Sequence, residues 1–161
     1  MNFPPLAGMR NKRCAPHATL FAAVFFQLFC AQGQTWTQTS APATNWQAIA
    51  SSADGHQLVA VNYTDDSGGG GPIFISTDFG TNWTQCSAPL ATWDGVASSA
   101  DGVKLVAVAG FNIPGPICTS TNSGLTWTSN NVPAANWTCV ASSADGMKLA
   151  AGQVGVIYFS T

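Results

Sequence analysis

The chain has 161 residues, of which 46% are hydrophobic and only 7% charged, where roughly 25% is usual for a soluble domain. Its acids are all Asp (54, 65, 66, 78, 94, 101 and 145), and of its five bases only Lys104 and Lys148 lie beyond Arg13. So little positive charge excludes a nucleic-acid binder that works by neutralising phosphates, and the lack of Glu excludes a surface of ion-paired helices.

Residues 1–33 read as a secretory signal peptide. A basic stretch ends at Arg13, an apolar run spans Ala18 to Cys30, and Ala31 and Gly33 offer the small residues a cleavage before Gln34 requires. The rival readings are a membrane span, for which the run falls short of the roughly 20 residues needed, and a lipoprotein signal at Cys30, where bulky Phe29 fits poorly. The expectation is a secreted or periplasmic protein with no membrane span after signal removal. Residues 34–161 then keep Cys86, Cys118 and Cys139, an odd number, whose pairing state the sequence leaves open. The single remaining histidine, His56, and the lack of a C-x-x-C pair point away from a metal site.

The mature part is repetitive. NWQAIASSADGHQLVAV (45–61), TWDGVASSADGVKLVAV (92–108) and NWTCVASSADGMKLAAG (136–152) align without a gap, placing Trp46, Trp93 and Trp137 at intervals of 47 and 44. A second landmark follows each: FISTDFGTNW (74–83), CTSTNSGLTW (118–127) and YFST (158–161). Each unit reads as four short strands. The first runs into an Asp-Gly turn and the second out of it, a strong hairpin signal; a loop leads to the third, and a Gly-bearing turn to the fourth. Helical periodicity is absent, and Leu-Val-Ala-Val is apolar on both faces, as in a strand packed between neighbouring sheets. Four antiparallel strands per repeat of this length predict an all-β fold, a β-propeller with about three blades, at 45–87, 92–131 and 136–161. QTWTQ (34–38) is a stray fourth strand with no blade of its own, expected to complete the third blade.

The second landmark resembles the Asp-box (BNR) motif, S-x-D-x-G-x-T-W, of the sialidase-like superfamily and of repeat proteins like photosystem II assembly factors. Ser76, Asp78, Gly80 and Trp83 match it, with Asn82 where the motif favours Thr; Ser120, Gly124, Thr126 and Trp127 match again, with Asn122 replacing the Asp. The resemblance implies that these residues are structural, closing the hairpin between strands three and four with Trp packed beneath. It also implies that a sialidase activity would need three arginines and a Tyr–Glu pair, and residues 34–161 contain no Arg and no Glu. Three blades are fewer than the 4–8 of closed propellers. Either the chain is a truncated piece of a larger propeller, the favoured expectation, or a homo-oligomer completes the ring.

From the Asp of each Asp-Gly turn to the Ser of the second landmark the intervals are 22, 19 and 15, so the variation lies between strands two and three. This loop shares a face with the connections between blades, and variable loops on a rigid scaffold mark a candidate binding face. Asp65, Asp66 and Asp94 are the acids that turns leave unexplained. Asp65 and Asp66, beside four glycines, are candidates for holding calcium or one sugar, against a plain solvated loop. Asp94 aligns with Gln47 and Thr138 and faces the central channel or simply ends a strand. The paired tryptophans, ten residues apart, read as repeated packing, Cys118 and Cys139 as small core residues, and Asn62, Asn82 and Asn136 as sequons. No catalytic set, metal or other cofactor is expected. The leading function is an exported, non-catalytic module binding a protein partner or a glycan, or scaffolding an assembly. The alternative is a fragment of a sialidase-like or glycoside-hydrolase-like enzyme, with Asp66 and Asp94 as its nominated carboxylates.

Overall fold

Three hairpins of identical design organise the chain, and each starts at an Ala-Asp-Gly turn. The computed structural model describes residues 34–63, 69–110 and 112–160. The chain divides into Met1–Trp36 and Thr37–Thr161; of the first unit, residues 34–36 are described and carry no strand. In the second unit, blade A is the antiparallel sheet β1 (Trp46–Ser51), β2 (Leu58–Asn62), β3 (Ile73–Ser76) and β4 (Thr84–Gln85), in that order. Blade B repeats it with β5 (Trp93–Ser98), β6 (Leu105–Ala109), β7 (Ile117–Ser120) and β8 (Thr128–Ser129). Blade C has three strands, β9 (Trp137–Ser142), β10 (Leu149–Gln153) and β11 (Val156–Phe159). No helix occurs among the described residues, so none there is long and apolar enough to cross a membrane. The signal-peptide reading of residues 1–33 lies outside the described residues.

The Asp-Gly turns are stapled rather than tight. The Ser99 hydroxyl donates to Asp101 at 2.5 Å and accepts the Lys104 N–H at 3.0 Å, while Asp101 accepts the Val103 N–H at 3.0 Å. Ser52–Asp54 and Ser143–Asp145 repeat this arrangement. A short polar side chain bonding its own turn is what makes Ser and Asp turn formers. Successive turns also join, with Ala53 N–H donating to the Ala100 carbonyl at 2.8 Å and Ala100 N–H to the Ala144 carbonyl at 2.7 Å.

Blade B lies between the other two. Val59, Val61 and Ile73 of blade A meet Trp93, Leu105 and Ala107 of blade B in one core, and Val106, Val108 and Ile117 of blade B meet Trp137 and Ala151 of blade C in a second. The apolar two-faced run of β6 is therefore buried on both faces, as its sequence implies. Each fully buried Val or Ile contributes about 1.5–3 kcal/mol through removal from water.

The strand expected at 34–38 is not formed: residues 34–39 carry no strand, and blade C keeps three. A strand needs an edge to pair with. The segment that follows is instead tied to blade A, where the Ser40 hydroxyl donates to the Thr81 carbonyl. Blade B separates that anchor from blade C.

Candidate functional site

The loops between second and third strands pair with the connections between blades. Gly71 and Ala91 exchange two backbone hydrogen bonds, at 2.9 and 3.3 Å, and Gly115 and Ala135 do the same at 3.0 and 3.3 Å. One face thus carries residues 69–72, 86–92, 112–116 and 130–136. A Cβ on Gly71 would lie 2.3 Å from the Asn62 carbonyl oxygen, so glycine alone allows the loop to close on the strand end. Leu90, Ile113 and Val132 are exposed on this face. Asp65 and Asp66 lie outside the described residues.

Asp94 sits at a β-bulge. Trp93 pairs with Ala109 and Gly95 with Val108, so the register shifts at Asp94, the extra residue of the bulge. Gln47 occupies the same bulge between Trp46 and Ala48, and Thr138 the same between Trp137 and Cys139. Bulges re-aim side chains and concentrate near functional sites. Gln47, Asp94 and Thr138 therefore form a repeated polar set at the ends of the first strands, which neighbour one another across blades. The sequence alignment placed these three residues at one position; the bulge behind them has no single-residue signature there. No group of three or more His, Cys, Asp or Glu side chains able to hold a metal exists among the described residues.

The remaining acids belong to turns. In the 76–83 turn the Ser76 hydroxyl donates to Asp78 at 2.8 Å and accepts the Gly80 N–H at 2.9 Å. Asp78 accepts the Asn82 N–H at 2.8 Å, and the Trp83 indole donates to the Gly80 carbonyl at 3.0 Å. Asn122 performs the same task in the 120–127 turn, accepting the Thr126 N–H at 2.9 Å, with Ser120 accepting from Gly124 at 2.9 Å and Trp127 donating to Gly124 at 3.1 Å. Phe79 and Ser123, like Gly80 and Gly124, adopt positive φ (59° and 58°), a demand the motif residues alone do not reveal. The Asn82 backbone bond holds the Asp78 carboxyl below the usual carboxylate range, and bonds from Ser52, Ser99 and Ser143 do so first for Asp54, Asp101 and Asp145.

The tryptophans pack, but unequally: Trp93 and Trp137 are buried with no hydrogen-bond partner for their indole N–H, whereas Trp46 is partly exposed. Cys118 is buried, and burial pushes its thiol pKa up, as it does for half-buried Cys86. Cys139 departs from its expected core role: it is exposed, because no blade follows blade C among the described residues. Among the sequons, Asn62 is buried and its amide donates to the Thr44 hydroxyl, a setting that leaves no room for a glycan. His56 is exposed in its turn, its ring edge-on to Phe79 at 5.0 Å.

Three radially packed antiparallel sheets of this repeat define a β-propeller, present in part. Comparison with solved structures agrees. The chain is similar to a GH74 enzyme from Niastella koreensis, at 26% identity over 73% of this chain and 21% of that one, with a TM-score of 0.55. It is similar to the GH74 xyloglucanase from Xanthomonas campestris, at 20% identity over 80% of this chain and 19% of that one (TM-score 0.61). It also resembles hydrazine synthase from Kuenenia stuttgartiensis, at 17% identity over 71% of this chain and 33% of that one (TM-score 0.55). The chain thus spans between a fifth and a third of these proteins' length, and the likeness shows the propeller fold. No family model and no curated protein matches it.

Proposed function

We propose that the chain is an exported, non-catalytic propeller module of the Asp-box type that binds a protein partner or a glycan, or scaffolds a larger assembly. The observation that carries this reading is the use made of four of its seven acids. Asp54, Asp78, Asp101 and Asp145 each accept turn hydrogen bonds and are held in the ionised form. A glycosidase general acid needs the opposite, a carboxyl whose pKa is raised. What faces outward instead is a rigid loop surface with exposed Leu90, Ile113 and Val132, together with the exposed bulge residues Gln47 and Thr138; Asp94, in the equivalent bulge, is half-buried with one carboxylate oxygen sealed from solvent. Such a scaffold suits recognition. Asp65 and Asp66 are the proposed additions to that surface, for a sugar hydroxyl or a calcium ion, and residues 1–33 supply the export signal.

The similarity to GH74 enzymes favours a second reading, a fragment of a glycoside-hydrolase-like propeller. A hydrolysis screen and a glycan-binding array on the purified chain separate the two. Binding without turnover, weakened about tenfold or more by Asp94→Ala, supports the module. Turnover abolished by Asp66→Asn or Asp94→Asn overturns it.

A further inference from the structure

We propose that two copies of this chain join head to tail, blade C of each against blade A of the other, into a six-bladed ring. Both outer faces carry the residues that are buried at the interfaces within the chain. Trp46 is 37% exposed, while its equivalents Trp93 and Trp137 are 0% and 1% exposed against the preceding blade. Ile157 on blade C is 78% exposed, while its equivalents Ile73 and Ile117 are 0% and 8% exposed against the following blade. Blade A thus presents the half of the interface that receives a preceding blade, and blade C the half that receives a following one. A second copy offers both halves. The three described blades of each copy give six in two copies, within the 4–8 range of closed propellers.

The backbone continues the series. Ala53 donates to Ala100 and Ala100 to Ala144; the next bond joins Ala144 N–H to the Ala53 carbonyl of the second copy. The incoming chain also brings a segment with fourth-strand sequence to blade C. Trp36 precedes Trp46 by the same ten residues that separate Trp83 from Trp93 and Trp127 from Trp137. The connection after it already lies as its repeat equivalents do: Ser40 donates to Thr81 as Ser87 donates to Leu125. When blade A of the second copy docks on blade C, its Thr37 and Gln38, the repeat equivalents of β4 (Thr84–Gln85) and β8 (Thr128–Ser129), gain the strand edge they lack in a single copy. A cavity of about 490 Å³ lies there, lined by Asn130, Val132, Leu149 and Ala151, the equivalents of Cys86, Ala88, Leu105 and Ala107. The last four belong to the core that packs Trp127.

The test is geometric. A Cβ placed on Gly95 lies 3.5 Å from Cys139 Cα, within the reach of a disulfide. The repeat carries the same relation from exposed Cys139 to position 48 of the second copy. Ala48→Cys in the full purified chain should therefore give, on adding diamide (which takes up the two thiol protons and two electrons), a covalent dimer. Peptide mapping should assign the bond to positions 48 and 139 of different copies. Light scattering of the unmodified chain at tens of micromolar should give twice the chain mass. Trp46→Arg, with its fold checked by circular dichroism, should halve that mass and abolish the cross-link in the double variant. A monomeric mass with no 48–139 bond overturns the proposal, as does a ladder of trimers and longer species in place of a closed dimer.

Discussion

The Ser–Asp staple occurs at three depths, which allows its energy to be read without changing its chemistry. Ser99 is fully buried and Ser52 nearly so, whereas Ser143 is half-buried in an exposed turn. Ser99→Ala removes the bond donated to Asp101 and leaves the Lys104 N–H, which reaches the Ser99 hydroxyl at 3.0 Å, without its acceptor. Leaving a buried donor unsatisfied costs about 1–3 kcal/mol. At Ser143 water replaces the lost hydroxyl, and the expected cost falls to about 0.5–1 kcal/mol. Urea unfolding followed by tryptophan fluorescence, at one fixed protein concentration, should show Ser99→Ala and Ser52→Ala losing at least twice the stability lost by Ser143→Ala, with the denaturant slope unchanged. In thermal unfolding each kcal/mol corresponds to about 3–5 °C for a domain of this size. Equal losses at all three turns would refute the argument, since depth would then be irrelevant to the staple.

Three further outcomes follow from the same geometry. The four turn carboxyls have folded pKa values below their unfolded ones, so their stabilisation is complete above the usual carboxylate range and disappears as pH falls through the folded values. The melting temperature should be flat from about pH 7 to pH 5 and fall below about pH 4, and Asp78→Asn, which copies the bonding of Asn122, should reduce that fall. Gly71→Ala drives a Cβ into the Asn62 carbonyl at 2.3 Å and should cost about 3 kcal/mol or more in denaturant unfolding. Phe79→Gly relieves a left-handed residue with φ of 59° and should stabilise by about 0.5–1 kcal/mol; a destabilised variant would show that the ring contact with His56 outweighs the backbone strain.

Much of the architecture was legible because the repeat is written in turn chemistry. Ser-Ala-Asp-Gly and Ser-x-Asp/Asn-x-Gly announce hairpins by local bonding, so strand order and the shared loop face followed from spacing alone. Burial was less legible. Trp46 and Trp93 sit in nearly identical sequence, yet one is partly exposed and the other sealed, because burial depends on which blade stands next to each. Cys139 is exposed for the same reason, and QTWTQ has strand sequence without a strand edge to meet. The bulges at Gln47, Asp94 and Thr138 escaped for another cause: a bulge is a mismatch between two strands, and neither strand records it by itself.

The position of blade B has a mechanical consequence. Its second strand, Leu105–Ala109, is buried at every residue, while β10 in blade C reaches half-burial at Leu149, Ala150 and Gln153. Stability in such a stack is a sum of unit terms and nearest-neighbour couplings, and among the described residues only blade B has both couplings. An isolated copy should therefore come apart from its ends inward, with amide exchange slowest in β6. Blade B serves as the keystone on which the two outer blades lean.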